Sequence, residues 1–239
     1  MAQRIVVVGA GIAGLASAVA LQRCGYEVTV IEGRTGTSTG AGISIWPNAL
    51  AALDYIGAGD AVREAGGRIT TGALRWRDGS WLRRPAPERL VKALGGPLVM
   101  VKRSVLRDIL TGVLGPGSVE YGLQAVGMAD SADGVRIELS DGTVRTARAV
   151  VGADGTRSMV ARHLNGPLTD RYVGCRARRR ALRDGPGLGR GNARARRRNR
   201  PRPDGAGWHV LVRGRACGRG PARAGRRVGL PAGEVRRLA

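Results

Sequence analysis

An α/β fold built on a parallel sheet is predicted by two stretches near the start of the 239-residue sequence. Residues 5–18, IVVVGAGIAGLASA, run from β-branched apolar residues through a glycine-rich turn into a helix that ends near Gly25. A second strand, YEVTVIE, follows the helix and closes on Glu32. Apolar strands of this kind are typical of a parallel sheet that is covered on both faces. The length of the chain is compatible with one or two domains.

The glycine-rich turn has the spacing Gly-x-Gly-x-x-Gly, formed by Gly9, Gly11 and Gly14. In a dinucleotide-binding turn the three glycines permit a tight turn, close approach of the backbone to a pyrophosphate, and close packing of helix on strand. The helix that begins near Gly11 presents free N–H groups to the phosphates. Glu32 lies 21 residues after Gly11, the spacing of an acid that accepts hydrogen bonds from an adenosine ribose. Dinucleotide binding is therefore predicted. The alternatives are that the glycines serve packing alone, or that the stretch is a signal peptide. The strand that directly follows the helix disfavours a signal peptide.

The next segment is predicted to leave the sheet. Residues 33–45, GRTGTSTGAGISI, are rich in glycine and threonine and predict a polar loop outside the core. Residues 47–66 have helical spacing. Pro47 suits a first helical turn and Gly57 a break between two helices.

Extended patterns return after residue 66. Residues 67–84 alternate between apolar and polar side chains around Asp78-Gly79, which predicts a hairpin. Residues 97–115 predict a strand followed by a helix that begins near Ser104.

A small antiparallel meander is predicted next. Asp-Gly pairs at 133–134 and 141–142 mark its turns. Its last strand is predicted at 149–151, directly before another glycine-bearing turn.

The positive charge of the chain is concentrated at one end. The formal net charge is +22, and residues 176–239 hold 20 arginines, no lysine and three acids. A basic surplus of this size ordinarily indicates nucleic acid or an anionic surface. Cys24, Cys175 and Cys217 lack metal-type spacing and favour a reducing compartment. Because no apolar run of membrane-spanning length occurs without glycine or charge, we expect a cytoplasmic protein without membrane insertion.

Four collinear motifs, over residues 4 to about 173, resemble those of the flavin-dependent aromatic hydroxylases. They are GAGIAGL, GAGISIWPNAL, VKRSVLRDIL and VVGADGTRSMVAR. This group of single-component (group A) flavoprotein monooxygenases includes salicylate and urate hydroxylases. The resemblance implies a Rossmann-like FAD-binding sheet of the glutathione-reductase type, a small antiparallel meander and part of a substrate sheet. It divides the chain into an FAD-binding domain of residues 1–70 and 98–173 and a partial substrate-domain insertion of residues 71–97.

The same resemblance implies FAD as cofactor, NAD(P)H as electron donor, and hydroxylation of a small aromatic substrate through a flavin hydroperoxide. It assigns no catalytic side chain and no metal, because the cofactor carries the hard chemistry. The first glycine motif is expected to hold the pyrophosphate, Arg103 to reach FAD, and the Asp154-Gly155 turn to serve FAD and NAD(P)H together. The candidate cofactor-binding residues are Gly9, Gly11, Ala13, Gly14, Glu32, Gly33, Arg34, Ser44, Arg103, Val126 and Asp154.

Five of these candidates have simpler alternatives. The side chains of Arg103 and Arg34 are also compatible with solvated surface positions, and Ser44 with an ordinary loop position. Asp154 is of a type that often caps a turn before glycine. Val126 is expected in the core, with only its backbone against the cofactor.

Residues 174–239 form a tail that is expected to be disordered. Arg, Gly, Ala and Pro make up 47 of its last 64 residues, which leaves little apolar surface to offset chain entropy. It is either a genuine polybasic tail or a GC-rich gene read out of frame, and the absence of lysine favours the second. The nucleotide sequence after codon 175, read in three frames, distinguishes the two.

The tail stands where the family continues into substrate-domain strands and a second flavin motif, GDAAH, neither of which is found. The chain is therefore expected to be a truncated monooxygenase, weakly active or inactive. Two alternatives stay open. One is a non-catalytic basic nucleic-acid-binding module on a Rossmann scaffold, and the other is an NAD(P)-dependent oxidoreductase. The substrate and the oligomeric state do not follow from the sequence.

Overall fold

The structure, a computed structural model, describes residues 3–36, 42–69, 74–75, 80–84, 86–169, 175–183 and 208–216. These residues contain the helices α1 (Ile12–Arg23), α2 (Pro47–Tyr55), α3 (Gly59–Ala65), α4 (Pro87–Leu94), α5 (Arg103–Leu114) and α6 (Met159–Asn165). Their strands are β1 (Arg4–Val8), β2 (Glu27–Glu32), β3 (Gly42–Ile45), β4 (Gly67–Ile69), β5 (Leu74–Arg75), β6 (Trp81–Arg83), β7 (Leu98–Lys102), β8 (Val119–Tyr121), β9 (Ala125–Ser131), β10 (Gly134–Leu139), β11 (Val144–Ala147), β12 (Ala149–Gly152), β13 (Cys175–Arg183) and β14 (Trp208–Ala216).

A four-stranded parallel sheet with the strand order β12–β1–β2–β8 confirms the predicted fold class. The prediction that residues 149–151 end the meander is wrong. They form β12, which pairs in parallel with β1, Val6 opposite Val150 and Val7 opposite Val151. Val150 and Val151 pack against apolar clusters on opposite faces of the sheet, as a strand covered on both sides requires.

The meander consists of β9, β10 and β11, which form an antiparallel sheet in the order β11–β10–β9. Both predicted Asp-Gly turns are confirmed. At the second turn the Asp141 carboxylate accepts hydrogen bonds from the backbone N–H and the hydroxyl of Thr143, at 2.9 and 2.7 Å. These bonds hold the pKa of Asp141 below its ordinary value.

A third sheet, in the order β3–β7–β4, corrects the prediction for the segment after β2. Residues 42–45, predicted as part of a polar loop, form β3, and Ile45 is only 6% exposed. The alternation that buries Ile45 is too short to stand out beside the preceding glycines and threonines. Residues 37–41 of the same segment lie outside the described residues.

The helical predictions agree with the structure. Helix α2 begins at Pro47, and Gly57, at φ +79°, separates it from α3. Helix α5 begins at Arg103, one residue before the predicted start. Strands β5 and β6 pair antiparallel as the predicted hairpin requires, whereas its Asp-Gly turn lies outside the described residues.

The parallel sheet separates two apolar clusters. Val7 and Val30 face the helices, where they join side chains such as Leu15 of α1 and Leu110 of α5. Val6, Val8 and Ile31 point to the other face, toward the meander and α6. Helices therefore cover one face of the parallel sheet, and the meander and α6 cover the other.

Strands β13 and β14 form an antiparallel pair that runs from Cys175 opposite Ala216 to Arg183 opposite Trp208. The structure therefore differs at these two stretches from the disorder predicted for the tail. A composition averaged over the tail conceals the short run WHVLV at 208–212, whose aromatic and β-branched residues favour a strand. The rest of residues 184–239 lies outside the described part. Across the described ranges, no helix combines the length and the apolar character needed to cross a membrane.

Candidate functional site

The candidate site lies at the carboxyl edge of the parallel sheet. The turn after β1, the residues after β2 and the turn after β12 meet there, because the three strands are neighbours and run in the same direction. Open parallel sheets bind ligands at this edge. The main chain joins the segments: Gly9 N–H donates to the Ile31 carbonyl at 2.7 Å, and Ala153 N–H to the Val8 carbonyl at 2.8 Å.

The three glycines of the turn are required for different reasons. Gly9 has φ +105°, and a Cβ there would collide with the Ala153 carbonyl. A Cβ on Gly14 would collide with the Gly9 carbonyl. A Cβ on Gly11 would meet no atom within 4 Å. Packing within the protein thus explains Gly9 and Gly14, whereas the open space beside Gly11 is a cradle that a side chain would partly fill.

The N-terminus of α1 opens into the same space. Gly11 is its N-cap and provides no side-chain cap, and the first turn contains no acidic residue. The backbone N–H groups of Ile12, Ala13 and Gly14 have no acceptor among the described residues, and the Ala13 side chain is exposed. Uncapped amides at the positive end of a helix bind anions. These residues fit a diphosphate.

Glu32 is held beside the turn by two backbone amides. One carboxylate oxygen accepts from Ala10 N–H at 2.8 Å, and the other from Arg34 N–H at 3.0 Å. Each oxygen keeps lone-pair capacity for a further donor such as a ribose hydroxyl. Arg34 contributes its backbone, with its side chain exposed, and a Cβ on Gly33 would lie 3.3 Å from the Gln124 Cβ. Glu32 is therefore fixed beside the glycine turn, and the contact of Glu32, Gly33 and Arg34 with a ribose stays a prediction.

The Asp154 carboxylate is engaged with helix α6. Its oxygens accept hydrogen bonds from the Ser158 hydroxyl, from Met159 N–H at 2.6 Å and from Val160 N–H at 3.4 Å. The structure thus gives Asp154 a structural role at the N-terminus of α6, where the sequence left open the capping of a turn. A role in cofactor binding stays a prediction, and the backbone next to Asp154 does reach the site, since Ala153 packs against Gly9 and Gly14.

Arg103, Ser44 and Val126 form no hydrogen bond with the glycine turn. Arg103 is exposed as the first residue of α5, without an acceptor among the described residues. Ser44 lies on β3, 3.8 Å from the Met100 sulfur. Val126 is 54% exposed, so its expected core position is wrong: in β9 the neighbouring Ala125 takes the inward position. Their contacts with a cofactor stay predictions.

Sequence reasoning overlooked Arg107. From α5 its Nε donates to the Ala10 carbonyl at 3.1 Å. It also lines a cleft of about 400 Å³ whose other lining residues are Thr35, Gly36, Asp108, Thr111 and Tyr121. The spacing offered a signal, since Arg107 follows Arg103 by four residues and shares its side of α5.

The comparisons with known proteins agree with this geometry. The profile of the "FAD binding domain" family matches residues 2–171. The chain belongs to the FAD-binding domain family. FAD is therefore its cofactor, and the resemblance to FAD-dependent aromatic hydroxylases is confirmed.

Two curated relatives of this chain are monooxygenases or hydroxylases. The 3-amino-4-hydroxybenzoate 2-monooxygenase of Streptomyces platensis is 39% identical over 166 residues, 68% of this chain and 42% of the relative. The FAD-dependent urate hydroxylase of Mycolicibacterium vanbaalenii is 30% identical over 176 residues, 72% of this chain and 45% of the relative.

Among solved structures, Klebsiella pneumoniae HpxO complexed with FAD and uric acid superposes with a TM-score of 0.69 at 28% identity. The match covers 77% of this chain and 47% of HpxO. The chain thus spans less than half of the length of the relatives it matches.

Proposed function

We propose that this chain is the FAD-holding portion of an NAD(P)H-dependent aromatic-ring monooxygenase. The observation that carries the proposal is the open space at Gly11, at the uncapped N-terminus of α1, next to Ala10, whose N–H donates to Glu32. Bound FAD would supply the redox chemistry with which such enzymes use dioxygen. The residues of the chain bind and orient the cofactor.

The contacts on which the proposal rests are concentrated at the ADP half of FAD. The amides at the start of α1 receive the diphosphate, and Glu32 accepts from the ribose. We assign Arg103 and Ser44 to the flavin end, because Gly42 pairs with Lys102 and so brings the start of β3 beside the start of α5. The Asp154-Gly155 turn, which follows β12 at the same edge, is assigned to FAD and NAD(P)H.

The substrate class is proposed from the relatives, whose names specify urate and 3-amino-4-hydroxybenzoate. Both are small, electron-rich rings, and we infer a substrate of the same class. We further propose a cytoplasmic location and no specific nucleic-acid partner. Residues 71–97 are proposed to be part of a substrate domain, and residues 174–239 to lie outside the FAD-binding fold.

Titration of the purified 239-residue chain with FAD, NADH and NADPH tests the proposal. We expect a perturbed flavin spectrum and quenched flavin fluorescence, with FAD bound more tightly than either nicotinamide dinucleotide. Tighter binding of NADH or NADPH than of FAD would favour the NAD(P)-dependent alternative. Failure to bind any of the three, together with salt-sensitive binding of DNA, would favour the basic binding module.

A further inference from the structure

The carbonyl of Ala10 is the one group of the glycine turn that accepts a hydrogen bond from a side chain of α5 within the described residues. Ala10 is 1% exposed, and both of its main-chain polar groups are bonded to charged side chains. Its N–H donates to the Glu32 carboxylate at 2.8 Å, and its carbonyl accepts from the Arg107 guanidinium at 3.1 Å. Ala10 is therefore held from both sides, by an anion at its N–H and a cation at its carbonyl.

Fixing this carbonyl also fixes the next amide. The peptide between Ala10 and Gly11 is planar and trans, so the N–H of Gly11 points away from the Ala10 carbonyl and hence away from Arg107. That N–H has no acceptor among the described residues and belongs to the residue beside which the structure leaves open space. If Arg107 were absent, the carbonyl would lose its partner, and rotation of the peptide would move the Gly11 amide.

We propose that Arg107 is a positioning residue for the dinucleotide: it orients the Ala10–Gly11 peptide so that the Gly11 N–H faces the diphosphate. The inference rests on the proposed binding of FAD through its ADP half. It assigns to Arg107 a hydrogen-bonding role through the backbone, distinct from the general attraction of a positive charge for phosphate.

Two substitutions separate these roles. Arg107→Met keeps the length of the side-chain stem and removes every N–H donor. Arg107→Gln removes the charge but keeps an amide nitrogen four bonds from Cα, the position that Nε occupies in arginine. Arg63→Met is the matched control, because it removes a guanidinium of α3 that pairs with Asp54 at 2.6 Å and Asp60 at 3.1 Å.

The measurements are dissociation constants for FAD, ADP and FMN, with urea unfolding to show that each variant is folded. We expect Arg107→Met to weaken FAD and ADP alike by about tenfold, the effect of one hydrogen bond to a charged donor. FMN, which lacks the adenosine half and one of the two phosphates, should be affected less than ADP. Arg107→Gln should stay within about threefold of the parent chain, since its donor is kept. Arg63→Met should change stability without changing the affinity for ADP.

Three results would overturn the proposal. Unchanged ADP affinity in Arg107→Met would show that binding does not depend on the hydrogen bond between Arg107 and the Ala10 carbonyl. Equal losses in Arg107→Gln and Arg107→Met would assign the effect to charge. An unfolded Arg107→Met chain would make Arg107 a structural residue.

A readout without cofactor separates this inference from the proposed function. Should the parent chain bind neither FAD nor ADP, the proposed function fails, whereas the orientation of the Ala10–Gly11 peptide is still measurable through the NMR chemical shift of the Gly11 amide. A changed Gly11 shift in Arg107→Met, but not in Arg107→Gln or Arg63→Met, supports the positioning role. An identical Gly11 shift in all four chains contradicts it.

Discussion

Replacing the glycines of the turn one at a time separates cofactor binding from folding. In Gly11→Ala the new methyl group enters open space, and the backbone at φ −73° and ψ 176° is accessible to alanine. The free energy of unfolding should therefore stay within about 1 kcal/mol of the parent value, since alanine stiffens the unfolded chain but is a poorer N-cap than glycine. The same methyl group occupies the approach to the α1 amides, so FAD should bind at least about tenfold more weakly, a loss of about 1.4 kcal/mol.

Gly14→Ala and Gly9→Ala are the matched controls. A methyl group at Gly14 collides with the Gly9 carbonyl, and overpacking of this kind costs about 1–3 kcal/mol of stability. In Gly9→Ala the methyl group collides with Ala153. In addition, the positive φ at this position costs an L-residue about 1–2 kcal/mol. Both variants should unfold at lower urea concentrations than Gly11→Ala.

The assay combines urea unfolding of the cofactor-free chain with FAD titration by fluorescence quenching. Gly11→Ala should shift the second curve and leave the first in place. Undiminished FAD affinity in Gly11→Ala would refute the argument that the open space is the diphosphate site. A large loss of stability in that variant would show that the space is not open in the folded chain.

Three further predictions concern Glu32, Asp154 and turnover. Glu32→Ala should weaken FAD binding by about 1–3 kcal/mol, because Ala10 N–H and the ribose hydroxyls lose their acceptor, and an unchanged titration would contradict the assignment. Asp154→Ala should destabilise the cofactor-free chain by about 0.5–2 kcal/mol, the value of a helix cap, and urea curves that coincide with those of the parent would deny the capping role. With FAD and NAD(P)H supplied, the 239-residue chain should oxidise NAD(P)H and release hydrogen peroxide, without hydroxylating salicylate-like or purine-like rings. The reason is that a flavin held through its ADP half is open to water. Stoichiometric hydroxylated product would disprove this uncoupling.

The parts of the fold that could be predicted are those in which the local sequence pattern alone determines the backbone conformation. The strand–glycine–helix stretch, the break at Gly57 and the two Asp-Gly turns of the meander follow from backbone preferences that short segments reveal. The assignment of β12 to the parallel sheet could not be predicted, because the sequence of an apolar strand does not show which strand it pairs with. At the candidate site, Gly9, Gly11, Gly14 and Glu32 were predicted from their spacing, and the structure brings them together. Arg107 was missed, since it contacts Ala10 across 97 positions of sequence.

The contact between Ala153 and the two packing glycines has a consequence for synthesis of the chain. Strand β1 lies between β2 and β12, so one wall of the first motif is supplied by residues translated about 140 positions later. A nascent chain that has emerged only as far as β8 contains every glycine of the motif and Glu32, but lacks the neighbour against which Gly9 and Gly14 pack. We therefore expect the packing of the motif to be completed only after β12 has left the exit tunnel, and FAD to bind the folded domain rather than the nascent chain.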